Sequence, residues 1–311
     1  MSRLRILVTG SSGFIGTTFL ESCAGAAELH GVDRLPSIER VTGVDYHVAD
    51  LCAPDGLRAL VRRISPDVIV HLAAQARVEP SLVDPVGTYR DNVVATINLI
   101  DAALQLGAGF RRFVYASSET VYGPAVTYPT PEIVSPNPQS PYAASKAASE
   151  MLVRSSLDDR ALIVRSGMGY GPRSDPRAQV VARFVQRSLH NEPLMFPAGP
   201  VPGGHPTRDL NFVTNFVDGV RLALDAGVSG TFNIASGREL SILDLAQEVI
   251  RKVGSGRIEF DPAWTYRRGE EGLRTWLDIT KAKDTFGYRP RVDLDEGLER
   301  TIRWMRGRLP E

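Results

Sequence analysis

Short apolar runs typical of buried β-strands alternate with longer helical patterns through the first half of this sequence. The strand-like runs fall at residues 6–9, 29–32, 46–48, 68–72, 113–116 and 162–164. Between them, apolar residues recur at spacings of three and four, at residues 14–24, 56–64 and 92–106. This alternation predicts parallel strands covered by helices on both faces. We therefore expect an α/β fold, a Rossmann-type doubly wound parallel sheet with a smaller α/β C-terminal domain.

The amino-acid composition argues against several classes of binding partner. The chain has 311 residues, of which 43% are hydrophobic, and this is enough for one large domain or two unequal ones. Its 36 basic and 36 acidic residues cancel, which argues against binding to nucleic acid or to an anionic membrane. Cys23 and Cys52 lack the spacing of a zinc site or a disulfide framework. We expect no metal, no membrane span and a reducing, cytoplasmic location.

A glycine motif follows the first predicted strand and opens the first predicted helix. The segment is Gly10-Ser11-Ser12-Gly13-Phe14-Ile15-Gly16. In such a motif the first glycine permits a tight turn, the second lets the backbone approach a pyrophosphate, and the third allows close helix packing. The helix start, with Phe14 and Ile15, adds N–H donors and a favourable dipole. These residues predict a dinucleotide site.

Two acidic residues at the ends of later predicted strands indicate which dinucleotide the site binds. Asp33 lies 17 residues after Gly16, where a carboxylate accepts the ribose hydroxyls of adenosine and repels a 2′-phosphate. This favours NAD over NADP. Arg34 can stack on adenine, accept a 2′-phosphate or be a solvated surface residue. Asp50, followed by Leu51, can meet the adenine amino group or serve as a turn aspartate.

A serine, a tyrosine and a lysine form the candidate catalytic set. Ser118 follows the predicted strand 113–116, and ligands of parallel sheets bind at that edge. Tyr142 and Lys146 are four residues apart and share one helix face. A phenol is a poor base at neutral pH, and a nearby ammonium stabilises its phenolate. We expect Lys146 to lower the pKa of Tyr142.

Together these features resemble the extended short-chain dehydrogenase/reductase family of NAD-dependent nucleotide-sugar epimerases and dehydratases. The resemblance also rests on His71-Leu72-Ala73-Ala74, Asn92 and Tyr170-Gly171-Pro172, and it covers nearly the whole chain. It implies that NAD takes a hydride from C4 of the sugar and that Tyr142 takes the hydroxyl proton. Ser118 would bond the same oxygen, and Lys146 would hold the nicotinamide ribose. It further implies cofactor contacts from Leu72, Ala73, Ala74, Gln75 and Asn92.

His71 closes an apolar strand, and we interpret it as a buried core residue without catalytic function. The two residues after Ser118 distinguish reactions within the family. Thr120 resembles an epimerase residue, whereas dehydratases carry Asp and then Glu at the two positions. Glu119 is a dehydratase remnant, a carboxylate facing the substrate, or a side chain turned into the fold. We predict a nucleotide-sugar 4-epimerase that acts on a UDP-sugar, with a dehydratase or 4-ketoreductase of deoxysugar biosynthesis as the alternative.

The substrate residues are expected from the same resemblance. Arg208 and Arg268 resemble the arginines that clamp the nucleotide diphosphate, and bidentate guanidinium contacts suit phosphate oxygens. Phe196 is placed either to stack on the nucleobase or to fill the core. Val78 and Met168 are expected near the sugar. Met168 replaces a family asparagine and residues 166–167 replace aromatics, so we expect a reshaped pocket.

Domain boundaries and assembly complete the predictions. Residues 1–165, with a return segment near 211–235, should form the NAD domain, and residues 166–210 and 236–311 the nucleotide-sugar domain. Six prolines predict a long surface loop over residues 122–141, and a second Pro- and Gly-rich stretch covers 193–206. A final helix is expected over 294–306. The resemblance implies a homodimer formed through the helices at 92–106 and 142–154.

Overall fold

The computed structural model describes residues 3–37, 39–266 and 271–308. Its strands are β1 (Arg5–Thr9), β2 (Glu28–Asp33), β3 (Val44–Val48), β4 (Val68–His71), β5 (Arg112–Ser118), β6 (Ala161–Ser166), β7 (Met168–Tyr170), β8 (Pro193–Pro197), β9 (Thr207–Arg208), β10 (Leu210–Phe212), β11 (Gly230–Ile234), β12 (Leu240–Ser241) and β13 (Arg257–Asp261). Its α-helices are α1 (Phe14–Cys23), α2 (Pro54–Ile64), α3 (Val78–Val83), α4 (Pro85–Tyr89), α5 (Ala95–Leu104), α6 (Pro141–Leu157), α7 (Val180–Leu189), α8 (Val213–Asp225), α9 (Ile242–Val253), α10 (Thr280–Phe286) and α11 (Leu294–Arg306). A π-helical turn, Arg90–Val94, joins α4 to α5.

Seven of the described strands form one parallel sheet in the order β11-β6-β5-β4-β1-β2-β3. The strand order reverses between β1 and β4, and ligands of such sheets bind beyond the carboxyl ends of strands at that crevice. The α/β prediction is confirmed. All six predicted strands are present, and α11 has the predicted bounds.

Two apolar layers cover the sheet. One face packs against α1, α8 and α10, with Phe19, Leu20 and Phe216 in its core. The other packs against α2, α5 and α6, with Leu57 and Leu99 fully enclosed. Because both faces are covered, central strands such as β4 are buried at every position, and this explains their unbroken apolar runs.

A third cluster lies beside the sheet, where α7, α9 and α11 pack around β7, β8 and β10. The loop predicted over 193–206 is wrong at its start, because residues 193–197 form β8, which pairs in parallel with β13. Leu194 and Phe196 alternate inward, and the two prolines take the ends of the strand. The Pro-rich segment after Tyr122 has no α-helix among its described residues, but it is anchored, since Thr130 is buried and bridges Leu277.

In the described ranges, no helix is long and apolar enough to cross a membrane. No group of three His, Cys, Asp or Glu side chains in those ranges is placed to hold a metal ion.

Candidate active site

The glycine turn joins β1 to α1 in a way that only glycine permits. Gly10 has a φ of +68°, and a Cβ there would lie 2.7 Å from the Ala73 nitrogen. A Cβ on Gly16 would lie 2.1 Å from the Gly10 carbonyl oxygen. Among the described residues, no side chain caps α1 and no acidic side chain lies in its first turn. The helix therefore offers N–H groups and a positive dipole end to an anion.

A cleft runs from this turn along the carboxyl ends of β1, β2 and β4. Most of the predicted cofactor residues line it: Gly10, Gly13, Phe14, Ile15, Gly16, Asp33, Arg34, Asp50, Leu51, Leu72, Ala73 and Ala74. The Asp33 carboxylate accepts hydrogen bonds from the backbone nitrogens of Ser12 and Arg34, at 3.0 and 2.7 Å. The structure thus places the carboxylate where the sequence predicts the adenosine ribose.

Arg34 is occupied by a partner that the sequence analysis missed. Its guanidinium lies 2.9 Å from Asp91, which is on the π-helical turn and also lines the cleft. The Arg34 side chain remains 58% exposed. An ion-paired arginine attracts a 2′-phosphate less than a free one does, because the neighbouring carboxylate cancels much of its field.

Gln75 and Asn92 are exceptions among the predicted cofactor residues, because neither belongs to the described lining of this cleft. Asn92 is buried, and its amide exchanges two hydrogen bonds with the Gln75 backbone. The same amide donates to Ser145 Oγ at 2.8 Å. Asn92 therefore fixes the loop after β4 to α6, so its role in the described structure is positioning.

The candidate catalytic set lies at the carboxyl end of β5. Ser118 Oγ accepts hydrogen bonds from Thr120 Oγ1 at 3.0 Å and from the Thr120 nitrogen at 3.2 Å. The Ser118 hydroxyl also acts on the Tyr142 side chain and lowers its pKa, against the effect of burial. Tyr142 lies one residue inside α6, whose first turn is capped by Ser140 and begins with Pro141. The structure thus brings three hydroxyl groups from β5, its loop and α6 together.

The expected lowering of the Tyr142 pKa is wrong. Burial raises that pKa to about 12; the Ser118 hydroxyl opposes the rise and Glu119 adds to it. Lys146 Nζ instead donates to the Ala116 carbonyl at 2.8 Å and lies 5.0 Å from the centre of the Tyr115 ring. Burial in turn lowers the pKa of Lys146 to about 8. Desolvation of both groups outweighs the expected attraction.

His71 is the core residue that the sequence analysis expects. It is 1% exposed and hydrogen bonds with Thr9 and Thr96. Burial, with the nearby Lys146 charge, lowers its pKa to about 3. The imidazole is therefore neutral near pH 7.

Glu119 is buried, and its Oε2 has no hydrogen-bond partner in the part of the chain that the structure describes. Burial raises its pKa to about 8; Asp209 adds to the rise and Arg208 opposes it. Glu119 also raises the pKa of Tyr142. Glu119 therefore acts electrostatically on a catalytic hydroxyl and is itself affected by Arg208, a predicted diphosphate ligand. Of the three alternatives for Glu119, burial favours a side chain turned into the fold. From there its carboxyl still affects the pKa of Tyr142.

Asp209 fixes the neighbourhood of Arg208. Its carboxylate accepts four hydrogen bonds, from the nitrogen and hydroxyl of Ser236 and from the nitrogens of Gly237 and Leu277. Burial raises the Asp209 pKa to about 6, against these hydrogen bonds. Arg208 itself is buried and donates to the Thr207 carbonyl at 2.8 Å.

A second cleft contains three of the predicted substrate residues, Met168, Phe196 and Arg208. Gln179 lines the first cleft while Ala178 and Val180 line the second, so the two clefts adjoin. Phe196 is 1% exposed and packs against Phe184, His205 and Trp264, so it belongs to the core as well as to the cleft wall.

Two other substrate predictions concern Val78 and Arg268. Val78 begins α3 half-buried and is not in the described lining of the second cleft, whereas its neighbour Glu79 is; the role of Val78 stays a prediction. Arg268 lies outside the described residues. The missing aromatic at Gly167 leaves no empty space, since a Cβ there would lie 2.7 Å from the Asp209 carbonyl oxygen. The backbone just before β10 therefore occupies the space that a side chain at residue 167 would need.

The sequence analysis missed several residues of the second cleft. Glu79, Arg183, Arg187, Trp264 and Tyr266 line it. Arg183 and Arg187 share one face of α7, a four-residue spacing that helical periodicity can reveal. Trp264 and Tyr266 carry no such signal, because only the pairing of β13 with β8 brings their segment to the cleft.

The sheet order, the glycine turn and the Ser–Tyr–Lys set define a dinucleotide-binding protein of the short-chain dehydrogenase/reductase class. The family model for GDP-mannose 4,6 dehydratase matches residues 7–301. The chain belongs to this family of nucleotide-sugar epimerases and dehydratases, and the predicted resemblance is confirmed.

Relatives of both reaction types match along the whole chain. A UDP-glucose 4-epimerase of Mycolicibacterium smegmatis is 36% identical, covering 98% of this chain and 99% of that protein. A dTDP-glucose 4,6-dehydratase of Streptomyces antibioticus is 34% identical, covering 97% and 92%. The structure of a Thermus thermophilus UDP-glucose 4-epimerase in complex with NAD is 31% identical, with a TM-score of 0.88 and coverage of 98% and 100%.

Proposed function

We propose that this protein is an NAD-dependent nucleotide-sugar 4-epimerase that acts on a UDP-sugar through a transient 4-keto sugar. The observation that carries the proposal is the hydroxyl cluster of Ser118, Thr120 and Tyr142 at the carboxyl end of β5. Thr120 occupies the position where a dehydratase carries an acid. UDP-glucose 4-epimerases among the relatives and solved structures support this assignment.

The first cleft fits NAD. Gly10 and Gly16 leave no room for a Cβ, the start of α1 is uncapped by any described side chain, and Asp33 presents a carboxylate at the end of β2. Ser12 Oγ is also buried without a partner among the described residues, beside the expected pyrophosphate. Bound NAD would supply the hydride acceptor and donor that inversion at C4 requires.

The residues of the chain supply the proton transfer. Tyr142 is a neutral phenol near pH 7, because burial raises its pKa to about 12. Accepting the proton of a sugar hydroxyl requires the phenolate, and Lys146 is the cation one helical turn away that can stabilise it. Ser118, held by Thr120, can hydrogen bond the same sugar oxygen. Arg208 would hold the diphosphate, and we propose the same for Arg268.

The direct test is incubation of the purified protein with NAD and UDP-sugars, with inversion at C4 followed by NMR. We expect C4 epimers to interconvert and Tyr142→Phe to lower kcat at least about 100-fold while NAD binding persists. Tyr128→Phe is the matched control, since the Tyr128 hydroxyl donates to the Arg274 carbonyl. Release of a stable dehydrated 4-keto sugar would reject the proposal, as would full activity of Tyr142→Phe.

A nucleotide-sugar 4,6-dehydratase is the second candidate, favoured by Glu119. A buried carboxyl with a pKa of about 8 is protonated near pH 7 and can donate a proton. The test is Glu119→Gln with solvent deuterium. Loss of exchange at C5 with intact oxidation at C4 supports elimination, and unchanged exchange removes Glu119 from the reaction.

We further propose a homodimer formed through α5 and α6, with α3 and α4 beside them. These helices expose apolar side chains that form one surface, among them Val83 (87% exposed), Val86 (75%), Ile97 (44%) and Met151 (57%). Clustered apolar exposure marks an association surface. Ile97→Glu should yield a monomer by light scattering, and Ile133→Glu is the control on an exposed loop. A monomeric parent protein would contradict the proposal.

The division into an NAD domain (1–165 and 211–235) and a nucleotide-sugar domain also remains a proposal. It is supported by the placement of β11 in the main sheet and by the separate third cluster. We propose a cytoplasmic location, since both cysteines are free.

A further inference from the structure

Three titratable residues share one buried face of α6. Tyr142, Lys146 and Glu150 follow one another at intervals of four residues, and all three are less than 10% exposed. The proposed function uses the first two and leaves Glu150 without a role. A carboxylate this deeply buried is costly unless charged or polar partners compensate it.

The last three residues of β5 each face one member of that set. The Ala116 carbonyl accepts from Lys146 Nζ, Ser117 Oγ donates to Glu150 Oε1 at 2.5 Å, and the Ser118 hydroxyl lies near enough to Tyr142 to lower its pKa. The strand end that carries the catalytic serine is thus hydrogen bonded to α6 at two successive residues. Any tilt of α6 at Glu150 would be transmitted to Lys146.

Arg165 of β6 compensates Glu150. Its Nη2 and Nε lie 2.7 and 3.0 Å from the two carboxylate oxygens, which is a bidentate arrangement. The guanidinium also lies 4.6 Å from the centre of the Tyr122 ring, at the end of the turn after Ser118 (Glu119–Tyr122). This ion pair therefore joins α6, β5, β6 and the loop after Ser118.

Lys146 has mostly neutral neighbours. The Ala116 carbonyl and the Tyr115 ring contact it, His71 beside it is neutral, and Tyr142 is a phenol near pH 7. Glu150 is the carboxylate that acts on Lys146, and its negative charge opposes the effect of burial. Arg165 is the ion-pair partner of that carboxylate.

We propose that Glu150, held by Arg165 and Ser117, is a positioning residue that orients Lys146 and keeps its ammonium charged for the reaction. The inference rests on the proposed function, since it assumes that a charged Lys146 is needed. Removing the Glu150 charge leaves the ammonium with the neutral Ala116 carbonyl and Tyr115 ring among its described contacts, and leaves Arg165 without its carboxylate, so the Lys146 pKa should fall. The alkaline limb of the kcat/KM profile should move to lower pH in the same variant.

The test is direct, because the chain has only four lysines, Lys146, Lys252, Lys281 and Lys283. Protein labelled with [¹³Cε]lysine therefore gives four resolvable NMR signals, and Lys146 is assigned by its loss in Lys146→Met. We expect Glu150→Gln to lower the Lys146 pKa, and Glu150→Asp, which keeps the charge, to lower it less. Glu248→Gln is the control, since it breaks a surface Glu–Arg pair.

Glu150→Gln leaves Arg165 buried without its partner, and such a variant can fail to fold. The double variant Glu150→Gln with Arg165→Met removes both charges and keeps similar volumes, so it provides the second measurement. A folded Glu150→Gln variant whose Lys146 titrates as in the parent protein would overturn the proposal. The double variant also loses the opposing Arg165 charge, so its Lys146 pKa should fall less, and a folded double variant in which both that pKa and the Lys146 ¹³Cε shift are unchanged would overturn the proposal as well. The titration needs no substrate. If the Lys146 pKa falls as expected but the parent protein has no epimerase activity, only the proposed function is rejected.

Discussion

The cofactor cleft takes its described lining from residues 10–95, with Gln179 as the addition, whereas the lining of the second cleft is scattered between residues 79 and 266. The first is built from consecutive strand ends of one sheet. The second depends on short strand pairings outside that sheet, such as β8 with β13. Both clefts need contacts between distant segments, since β1 also pairs with β4, about 60 residues further along the chain. A local glycine motif marks the first cleft in the sequence, whereas no such motif marks the second.

The largest expected effect is at Gly16, the tightest point of the cofactor cleft. Gly16→Ala places a Cβ 2.1 Å from a backbone oxygen, so the turn must shift. We expect NAD affinity, measured by calorimetry, to fall at least about tenfold and the Tm to fall as well. Gly56→Ala is the control, since a Cβ there meets nothing within 4 Å and helix propensity improves. Unchanged NAD affinity in Gly16→Ala would contradict the idea that the glycine motif defines the first cleft.

Phe196 tests whether the second cleft is also a core. Phe196→Ala should lower the free energy of unfolding by about 3–5 kcal/mol, because the ring is 1% exposed among other aromatics. Phe260→Ala, on the paired strand but 57% exposed, should cost far less. Denaturant unfolding measures both. A change in nucleotide affinity with unaltered stability would show that the ring serves the ligand alone.

Glu119 predicts a pH-dependent difference in stability. Its pKa is raised to about 8 in the folded protein, so the folded state holds the proton more tightly and this group destabilises the fold as pH rises from about 4.5 through 8. Glu119→Gln lacks this titration. The stability of the variant relative to the parent should therefore rise by roughly 1–3 kcal/mol between pH 5 and 9. A pH-independent difference, by denaturant unfolding, would place the carboxyl in solvent.

The smallest expected effect concerns cofactor selectivity. Asp91→Asn removes the carboxylate that pairs with Arg34 at 2.9 Å. The freed guanidinium should favour a 2′-phosphate, raising the affinity for NADP relative to NAD by roughly three- to tenfold. Asp55→Asn, which breaks a comparable exposed pair with Arg58, is the control. An unchanged ratio of dissociation constants would show that Asp33 alone sets the preference.

The sequence predicted elements wherever the pattern was local. The six strands, the glycine turn and the Ser–Tyr–Lys set depend on periodicity and on spacings of a few residues. The same local reasoning failed at β8, where a Pro-rich segment becomes a strand because β13 pairs with it. It also failed for the Tyr142 pKa, because burial is a property of the packed structure.

The sequence by itself thus determined the doubly wound sheet and the family of this protein. Both follow from local patterns, namely the alternation of strands and helices and the glycines that a tight backbone turn requires. Only the tertiary structure decided the pairing of Arg34 with Asp91, the burial of Glu119 with no described partner for its Oε2, and the link from Arg165 through Glu150 to α6. Each of these depends on desolvation or on contacts between distant segments. Such effects arise when the chain packs, and no pattern along the sequence encodes their strength.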